Sequence, residues 1–391
     1  MSTHDNCRMQ YRRFPLIEDT EVSALGLGCM RLPVISGDDA AIDPDAFDAM
    51  LAEAITAGIN YLDTAYLYHK QQSESALGAA LERSGNRDHF LLATKNPVGL
   101  VRTKDDWERF LAEQLERLQT DHIEFYLFHG LGFDQDRWPK IKALGGLTAL
   151  ERAKAAGKIR HLGFSFHGSL EKFKEIVDGY DGWEFCQLQY NYVDWNSQAG
   201  EEGLAYAAEH RLGVIIMEPL RGGSLTKLPS EVEAAFRRHS TQRPAYDWGL
   251  RYVLDRPEVS LVLSGMGSID QIRENAAVAS SVKPNTITPL ERAAYEEAAK
   301  LFKEREQVHC TGCRYCQPCP SRVHIPEIFS CYNTASMFDT KKDMRNKYKA
   351  MVARGLDAGS CIRCGECSSK CPQGIDIPDR LEDAHAFLTG K

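Results

Sequence analysis

No apolar run of about 18 residues, the length that a membrane-spanning helix needs, occurs anywhere in this chain. The N-terminal stretch MSTHDNCRMQYRR also lacks the apolar segment of a secretory signal peptide. An excess of positive charge is absent, since the 55 Asp and Glu outnumber the 47 Lys and Arg, which gives a net charge of −8 and an isoelectric point near 5.9. The composition therefore gives no electrostatic reason to expect nucleic acid or an anionic membrane as a partner. We predict a cytoplasmic protein without membrane insertion.

The chain also lacks an even spread of cysteines, and a disulfide framework would need an oxidising compartment. Cys7, Cys29 and Cys186 are scattered through the first three-quarters, whereas the other nine lie between Cys310 and Cys371. Nothing upstream suggests an oxidising compartment. Nine thiols in the tail of a cytoplasmic chain indicate metal binding, and we expect the three scattered cysteines to be small core or loop residues.

The length and composition suit a globular enzyme with one large domain and one small domain. Hydrophobic residues make up 43% of the 391 residues and charged residues 26%. From about residue 25 to about residue 285, short apolar runs alternate with longer amphipathic segments. The predicted strands are residues 25–29, 59–63, 90–94, 123–129, 159–165, 185–189, 213–217 and 260–264.

This alternation favours an α/β fold with a closed parallel sheet. Eight strands, each followed by a helix, are typical of a (β/α)8 TIM barrel. An open doubly wound sheet is the alternative, but no GxGxxG motif follows the first strand. A hairpin within residues 11–27 could close the barrel floor, and Thr288 is placed to cap a helix after the barrel. We predict a barrel over residues 1–287, a linking helix over 288–308 and a small domain over 309–391.

Four reactive side chains follow neighbouring predicted strands, at the end of a barrel where active sites form. Asp63 ends the second strand, Tyr68 follows it, Lys95 ends the third strand and His129 ends the fourth. Each alone has an ordinary structural explanation, such as a solvated loop charge or a hydrogen-bonded histidine. Together, an acid, a phenol, an ammonium and an imidazole form a unit that can deliver a proton.

Over about residues 20 to 285, the chain resembles the aldo/keto reductase family. The DTAxxY pattern of that family is present as Asp63-Thr64-Ala65-Tyr66-Leu67-Tyr68, which assigns the family's tyrosine to Tyr68 and not to Tyr66. The strand-end lysine and histidine of the family match Lys95 and His129. Further similar stretches are residues 163–165, 186–190, 218–223 and 271–275. The order and spacing of these stretches make the resemblance specific.

The chemistry of carbonyl reduction suits these residue types. Hydride must reach the carbon, and a proton must reach the developing alkoxide. A free tyrosine has a pKa near 10, and a nearby ammonium lowers it by stabilising the phenolate. We therefore expect Tyr68 to be the general acid, Lys95 to tune it, Asp63 to hold the lysine and His129 to orient the substrate oxygen.

The resemblance also implies a nicotinamide cofactor, NADP(H) or NAD(H), across the barrel mouth. It implies that Ser165 and Gln187 hold the carboxamide, while the adenosine lies near Gln271 and Asn275. A turn with close backbone approach would wrap the pyrophosphate. The residues of this turn are Leu220, Arg221, Gly222 and Gly223.

Three departures from the family bear on the nucleotide. Phe166 stands where many members have asparagine, and Met217 where many have a stacking tyrosine. The basic positions for a 2′-phosphate correspond to Gly265-Met266 and to Gln271. The choice between NADH and NADPH therefore stays open, with Arg273 as a possible phosphate contact.

Two cysteine motifs occupy the tail. Cys361-x2-Cys364-x2-Cys367-x3-Cys371-Pro372 has the spacing of bacterial ferredoxins that bind [4Fe–4S] clusters. The earlier motif, Cys310-x2-Cys313-x2-Cys316-x2-Cys319-Pro320, is one residue shorter before its last cysteine. Structural zinc is the alternative, but four-cysteine zinc sites use two pairs. We predict a ferredoxin-like α+β domain with two [4Fe–4S] clusters.

In two-cluster ferredoxins the fourth cysteine of each motif binds the other cluster. One cluster would then have Cys310, Cys313, Cys316 and Cys371 as ligands, and the other Cys361, Cys364, Cys367 and Cys319. Cys331 has no following proline and is interpreted as a spare thiol. The fusion of a reductase barrel to such a tail resembles a bacterial subgroup of predicted oxidoreductases.

Two classes of function compete. The first is an NAD(P)H-dependent enzyme that interconverts a small-molecule carbonyl and its alcohol. The second is an electron-transfer or redox-sensing protein that uses the clusters with a redox protein partner, with the barrel as a scaffold. The complete set of Asp63, Tyr68, Lys95 and His129 favours the enzyme, because a scaffold does not need it. The sequence does not identify the substrate.

Overall fold

The computed structural model describes residues 8–132, 136–239, 243–310, 312, 315–371 and 373–390. The chain forms two compact units. The first comprises the described residues of Met1–Gly222 and Tyr246–Ile287, and the second those of Gly223–Ala245 and Thr288–Lys391. In this part of the chain, no helix combines the length and apolar character needed to cross a bilayer.

The first unit is built on a closed barrel of eight parallel strands. These strands are β3 (Leu25–Gly28), β4 (Tyr61–Asp63), β5 (Leu91–Asn96), β6 (Ile123–Leu131), β7 (Ile159–Phe166), β8 (Phe185–Gln189), β9 (Gly213–Met217) and β10 (Val259–Ser264). They pair in chain order, and β10 closes the barrel against β3. The predicted (β/α)8 barrel is therefore confirmed. The strand bounds differ from the predicted ones by at most two residues at either end.

Helices follow the barrel strands. They are α1 (Pro44–Thr56), α2 (Ser73–Ser84), α3 (Asp106–Leu118), α4 (Arg137–Ala143), α5 (Gly146–Ala155), α6 (Leu170–Asp178), α7 (Gly200–Glu209), α9 (Ala245–Leu254) and α10 (Ile269–Ser281), with α8 (Ser230–His239) in the second unit. The start of α1 shows how local sequence sets these bounds. The Asp43 carboxylate accepts a hydrogen bond from the Ala46 N–H, and Pro44 occupies the first helical position.

An antiparallel hairpin, β1 (Tyr11–Phe14) and β2 (Ile17–Ser23), precedes the barrel. Phe14 packs among inward-facing barrel side chains, with its ring centroid 5.3 Å from that of Phe125. The ring lies so close to Gly213, the first residue of β9, that no side chain fits there. The hairpin thus closes the end of the barrel where the strands begin, as its place in the sequence predicts.

The main secondary structure elements of the second unit, in its described residues, are helices. Besides α8, it contains α11 (Pro289–Glu304), α12 (Ile325–Met337), α13 (Lys341–Val352), α14 (Glu366–Ser369) and α15 (Ile377–Thr389). Thr288 and Glu291 form the capping box at the start of α11, so the predicted cap is present.

The prediction of an α+β tail is corrected, since no strand occurs among the described residues of this unit. The physical reason lies in the 41 residues between Cys319 and Cys361. Buried apolar side chains at Ile325, Ile328, Phe329 and Tyr332 have helical spacing and not the alternation of a strand.

Candidate active site

Asp63, Lys95 and Tyr68 form one connected polar chain at the ends of β4 and β5. The Lys95 Nζ donates to Asp63 Oδ1 at 2.5 Å and to the Thr64 carbonyl oxygen at 2.8 Å, and it lies 3.4 Å from Tyr68 Oη. Parallel pairing aligns Asp63 with Ala93, two residues before Lys95, which brings the two strand ends together. The lysine side chain is 1% exposed. The structure therefore brings together three of the four residues predicted to be catalytic, with the ammonium between the carboxylate and the phenol.

The surroundings keep the lysine charged. Burial by itself would lower the pKa of Lys95, but the Asp63 carboxylate and Tyr68 raise it, and the net shift is upward. Burial also raises the pKa of Asp63, and Lys95 opposes that rise. Because Nζ and Oδ1 are in direct contact, we assign the charged pair.

The phenol keeps its proton in this state. Burial raises the pKa of Tyr68, and the Lys95 ammonium offsets only part of that rise. The expectation that Lys95 lowers the pKa of Tyr68 is correct for the lysine's own effect but wrong for the net shift, because burial outweighs it. A protonated phenol beside a fixed ammonium is suited to donate its proton to an oxyanion.

His129, the fourth residue of the predicted set, lies beside the phenol. Its ring centroid is 6.0 Å from that of Tyr68, with an angle of 82° between the rings. Burial, Lys95, Arg137 and His167 together lower the pKa of His129 to about 3. The imidazole is therefore neutral near pH 7 and can donate or accept a hydrogen bond without carrying charge.

A buried polar network supports the backbone of Lys95. The Glu74 Oε1 of α2 accepts from Thr94 Oγ1 and from Gln114 Nε2, both at 2.6 Å. The same Gln114 Nε2 also donates to the Lys95 carbonyl oxygen at 3.1 Å, and Tyr126 Oη donates to Gln114 Oε1 at 2.6 Å. These bonds fix α2 and α3 against β5 and so fix the strand end that carries the ammonium.

The segment after Tyr68 has an unusual backbone. His69, Lys70 and Gln71 have φ angles of 49°, 50° and 74°, in the left-handed region that residues with a Cβ rarely occupy. His69 is buried, and its Nε2 accepts a hydrogen bond from the Leu32 N–H at 3.0 Å. The turn thus connects the residue after the phenol to the loop that follows β3.

Ser165 and Gln187, the predicted carboxamide contacts, stand side by side. They are register partners at the ends of β7 and β8, and both are buried. Ser165 Oγ accepts a hydrogen bond from the Gly130 N–H at 2.8 Å. Gln187 Oε1 is buried and has no hydrogen-bond partner among the residues that the structure describes. An unsatisfied buried oxygen is costly, and a carboxamide N–H would satisfy it.

The predicted pyrophosphate turn begins after β9. Arg221 and Gly222 have φ angles of 47° and 66°, and the Arg221 N–H donates to the Glu218 carbonyl oxygen at 3.0 Å. The Arg221 guanidinium forms an ion pair with Asp194, 3.0 Å between Nε and Oδ2. Leu220 is buried. Gly223 belongs to the second unit.

The residues predicted near the adenosine have partners within the first unit. Gln271 Oε1 accepts a hydrogen bond from the Gly267 N–H at 2.8 Å. Asn275 Nδ2 donates to Ser264 Oγ at 2.9 Å, so this amide holds the end of β10. Both contacts to the nucleotide remain predictions.

In the second unit, several of the predicted ligands surround one cavity. The cysteines that line it are Cys316, Cys319, Cys361, Cys364 and Cys367. Cys310 and Cys371 are half-buried against the core of the same unit, and Cys371 is not among the lining residues. Cys331 is buried in that core, as expected of a spare thiol. Cys7 and Cys313 lie outside the described residues.

One polar side chain anchors the entry to each motif. Asn333 of α12 accepts from the N–H groups of Gln307 and Val308 at 3.1 and 3.0 Å, just before Cys310. Tyr348 of α13 accepts from the Ala358 N–H at 3.0 Å, three residues before Cys361. The helices between the motifs therefore position both motifs.

The described cysteines do not form a site for a single metal ion. Within the described residues, no three His, Cys, Asp or Glu side chains stand close enough together to hold one metal ion. The four cysteines of a cubane each bind a different iron atom, so their sulfur atoms are spaced more widely. A cavity lined by cysteines from both motifs fits a cluster of that kind.

The barrel region of the sequence matches a known family. The model of the aldo/keto reductase family matches residues 24–287, which is more than half of the chain. This chain belongs to the aldo/keto reductase family. It is accordingly an NAD(P)H-dependent oxidoreductase, as predicted.

Relatives of this reductase cover the barrel. An uncharacterized oxidoreductase of Bacillus subtilis, YqkF, is 29% identical over 67% of this chain and 89% of its own length. The L-galactose dehydrogenase of Arabidopsis thaliana is 30% identical, again over 67% of this chain and 86% of its own. The holo form of the aldo-keto reductase AKR11C1 from Bacillus halodurans superposes with a TM-score of 0.58 at 28% identity. That superposition covers 74% of this chain and 96% of the other.

The tail of this aldo/keto reductase matches a second family model. The 4Fe-4S dicluster domain matches residues 309–375. The iron–sulfur interpretation is therefore confirmed, and the zinc alternative is set aside.

The structure also shows residues that sequence reasoning missed or misplaced. Arg273 forms an ion pair with Glu53 of α1, 2.8 Å between Nη2 and Oε2. Arg31, in the loop after β3, is exposed, and its guanidinium lies beside two glycines. A Cβ built on Gly222 would lie 3.1 Å from Arg31 Nη2, and a Cβ built on Gly265 would lie 3.0 Å from Arg31 Nη1. In the sequence, the position of Arg31 just after the end of a predicted strand was the signal that could have identified it as a candidate site residue.

Proposed function

We propose that this reductase interconverts a small-molecule carbonyl and its alcohol, with Tyr68 as general acid and base. The observation that carries the proposal is the buried chain from Asp63 Oδ1 through Lys95 Nζ to Tyr68 Oη, with distances of 2.5 and 3.4 Å. A scaffold has no need to bury an ammonium beside a phenol, since burying charge is costly.

Each residue has a distinct part in the reaction. Tyr68 Oη donates a proton to the carbonyl oxygen during reduction and accepts it back during oxidation. The Lys95 ammonium stabilises the phenolate that donation leaves behind, and Asp63 holds the ammonium at that distance. The neutral His129 donates a hydrogen bond to the substrate oxygen and so orients it towards the phenol.

The residues at the barrel mouth fit a nicotinamide cofactor. When bound, such a cofactor supplies or accepts the hydride. Gln187 Oε1, which is buried and has no partner in the described part of the chain, would accept a hydrogen bond from the carboxamide N–H. Ser165 Oγ is the neighbouring polar atom. Leu220, Arg221, Gly222 and Gly223 would contact the pyrophosphate, and Gln271 and Asn275 the adenosine.

The decisive experiment replaces the phenol. We expect Tyr68→Phe to lower turnover of carbonyl reduction by about 10²–10⁴-fold, the usual contribution of a general acid, with little change in the Kd for the nucleotide. Tyr66→Phe is the matched control. Its hydroxyl donates to Glu113 Oε2 at 2.7 Å, so we expect nearly unchanged turnover. Retention of more than about a tenth of wild-type turnover by Tyr68→Phe would contradict the assignment.

We also propose that the tail holds two [4Fe–4S] clusters with exchanged fourth ligands. The lining of one cavity by Cys316 and Cys319 of the first motif together with Cys361, Cys364 and Cys367 of the second, but not by Cys371, supports an exchange of ligands between the motifs. Cys310, Cys313, Cys316 and Cys371 would then bind the other cluster. Reduced thiols imply a reducing compartment, and we propose the cytoplasm.

Iron analysis tests the cluster proposal. We expect anaerobically purified protein to contain about eight iron and about eight sulfide per chain, as two cubanes require. Cys364→Ala should lose about half of both, whereas Cys331→Ala, which removes a buried spare thiol, should keep both clusters. About four iron in the wild-type protein would mean that the shorter motif holds no cluster.

A further inference from the structure

Helix α13 carries a concentration of positive charge that the rest of the chain does not share. Five of its twelve residues are basic and one is acidic, whereas the whole chain has a net charge of −8. The basic residues are Lys341, Lys342, Arg345, Lys347 and Lys349, and Arg354 follows shortly after the helix ends.

The inward side of α13 is held by specific contacts. Tyr348 is buried, and its Oη lies 2.7 Å from His385 Nδ1 of α15. Arg345 donates to the Phe387 carbonyl oxygen at 3.0 Å, and Lys341 Nζ lies 4.1 Å from the centroid of the Phe387 ring. These contacts fix which side of the helix faces outward.

The outward side is exposed and keeps a net positive charge, although the exposed Asp343 lies one turn before Lys347. Four basic residues on this side are exposed, namely Lys342, Lys347, Lys349 and Arg354. Their side chains form no hydrogen bond or ion pair with any residue that the structure describes. Elsewhere in the same unit, Arg363 pairs with Asp379. Uncompensated like charges repel one another and therefore do not stabilise the fold. This surface is suited instead to bind an anionic partner.

The charged helix is linked directly to a cluster motif. The Tyr348 hydroxyl accepts from the Ala358 N–H at 3.0 Å, and the Cys361 N–H donates to the Ala358 carbonyl oxygen at 3.1 Å. At the edge of the cysteine-lined cavity, Ile362 is 67% exposed and Cys364 is also exposed. A protein that docks near this motif would therefore find a cluster close to the surface.

We propose that the outward face of α13 docks an acidic one-electron carrier protein. One electron would leave the reduced carrier and enter one [4Fe–4S] cluster, which passes from the 2+ to the 1+ state. Complementary charge would steer the encounter. This inference rests on the proposed clusters but not on the carbonyl chemistry, so loss of reductase activity would leave it intact.

The test uses full-length protein with both clusters and a pre-reduced acidic [2Fe–2S] ferredoxin as the probe. Stopped-flow absorbance follows reduction of the [4Fe–4S] clusters, and calorimetry measures the Kd for the oxidised ferredoxin. We expect the triple variant Lys342→Glu, Lys347→Glu, Lys349→Glu to slow the second-order step at least about tenfold and to weaken its dependence on ionic strength. Reduction by dithionite, which needs no docking, should be unchanged.

The matched control makes the same charge change in the first unit. Lys104→Glu, Lys158→Glu, Lys283→Glu alters three exposed lysines and should leave the rate and the Kd within about twofold, since only the docking face steers the encounter. If the triple glutamate variant of α13 does not fold, the variant Lys342→Gln, Lys347→Gln, Lys349→Gln is measured instead.

Three results would overturn the proposal. The first is an equal loss of rate in the control, and the second is no loss of rate in the α13 variant. The third is binding of duplex DNA or anionic vesicles that needs these lysines while the ferredoxin rate does not, which would identify the face as a site for an anionic polymer or membrane.

Discussion

At the residue scale, the catalytic set makes a prediction about pH. Reduction needs a protonated phenol, and burial raises the pKa of Tyr68 above its ordinary value despite Lys95. We expect kcat/KM for reduction to stay level from about pH 5 to about pH 9 and to fall only as the pH rises through the pKa of Tyr68. Oxidation needs the phenolate, so its rate should rise with pH over the same range.

His129 should contribute no step to that profile. Its pKa of about 3 leaves the imidazole neutral throughout the measured range. A loss of reduction below about pH 6.5, the ordinary pKa of histidine, would therefore show that His129 titrates in the working enzyme and would contradict its assigned role as a neutral hydrogen-bond donor.

A second residue-scale prediction concerns Arg31. Its guanidinium lies beside Gly222 and Gly265 and has no hydrogen bond or ion pair among the described residues. A charge-assisted hydrogen bond to phosphate is worth about 1.5–3 kcal/mol, so Arg31→Gln should raise the Kd for NADH and NADPH alike by about tenfold or more. Fluorescence titration with both nucleotides measures this.

Arg273→Gln is the control for Arg31, because the Arg273 guanidinium is engaged by Glu53. Arg273→Gln should change the Kd for NADH and the Kd for NADPH by less than about twofold. Loss of the ion pair with Glu53 should not disturb the fold, because surface ion pairs contribute little to stability. Weakening of NADPH binding alone in Arg31→Gln would mean that this arginine contacts the 2′-phosphate and not the diphosphate.

These residues also show what the sequence could predict. Asp63, Lys95 and His129 were identifiable because each ends a short apolar run, and strand ends meet at one rim of a barrel. The proposed role of Arg31 could not be identified from the sequence. Its nearness to Gly222 and Gly265 depends on how three loops far apart in sequence approach one another. The net pKa of Tyr68 likewise depends on burial, which no motif encodes.

At the element scale, the left-handed turn after Tyr68 gives a prediction about stability. Gln71 has a φ of 74° and is exposed, so Gln71→Gly removes backbone strain of about 1–2 kcal/mol at an entropic cost of about 0.5–1 kcal/mol. We expect a gain of about 0.5–1 kcal/mol in the free energy of unfolding, visible as a higher apparent Tm.

The neighbouring glutamine provides the comparison. Gln72 has a φ of −95°, which glycine does not relieve, so Gln72→Gly should lower the apparent Tm. Equal shifts for the two variants would indicate that the turn is not strained in solution.

The elements themselves were predictable to different degrees. The barrel strands are short and apolar, so their bounds could be read to within about two residues. The helical tail could not be predicted from its cysteines, because a cluster fixes where ligands lie and not which element joins them. Tyr348 and Asn333, which hold the two motifs from intervening helices, carry no sequence signal of that role.

At the scale of the whole molecule, two kinds of redox chemistry share one chain. The barrel handles hydride, which carries two electrons in one step, whereas a [4Fe–4S] cluster accepts one. No flavin-binding fingerprint that could split the pair occurs in the sequence. The proposed proton-delivery set, Asp63, Lys95, Tyr68 and His129, lies together in the barrel and contains no cysteine.

We therefore predict that the clusters do not accept electrons directly from the nicotinamide. The measurement mixes the anaerobic protein with excess NADH or NADPH, without a carbonyl, and follows the cluster absorbance and the electron paramagnetic resonance signal. Because a one-electron acceptor cannot take a hydride, both signals should stay unchanged on the timescale of turnover, while dithionite reduces the clusters in the same sample. Prompt reduction by the nucleotide would show that a mediator which separates the two electrons is bound, and the barrel chemistry would then feed the tail.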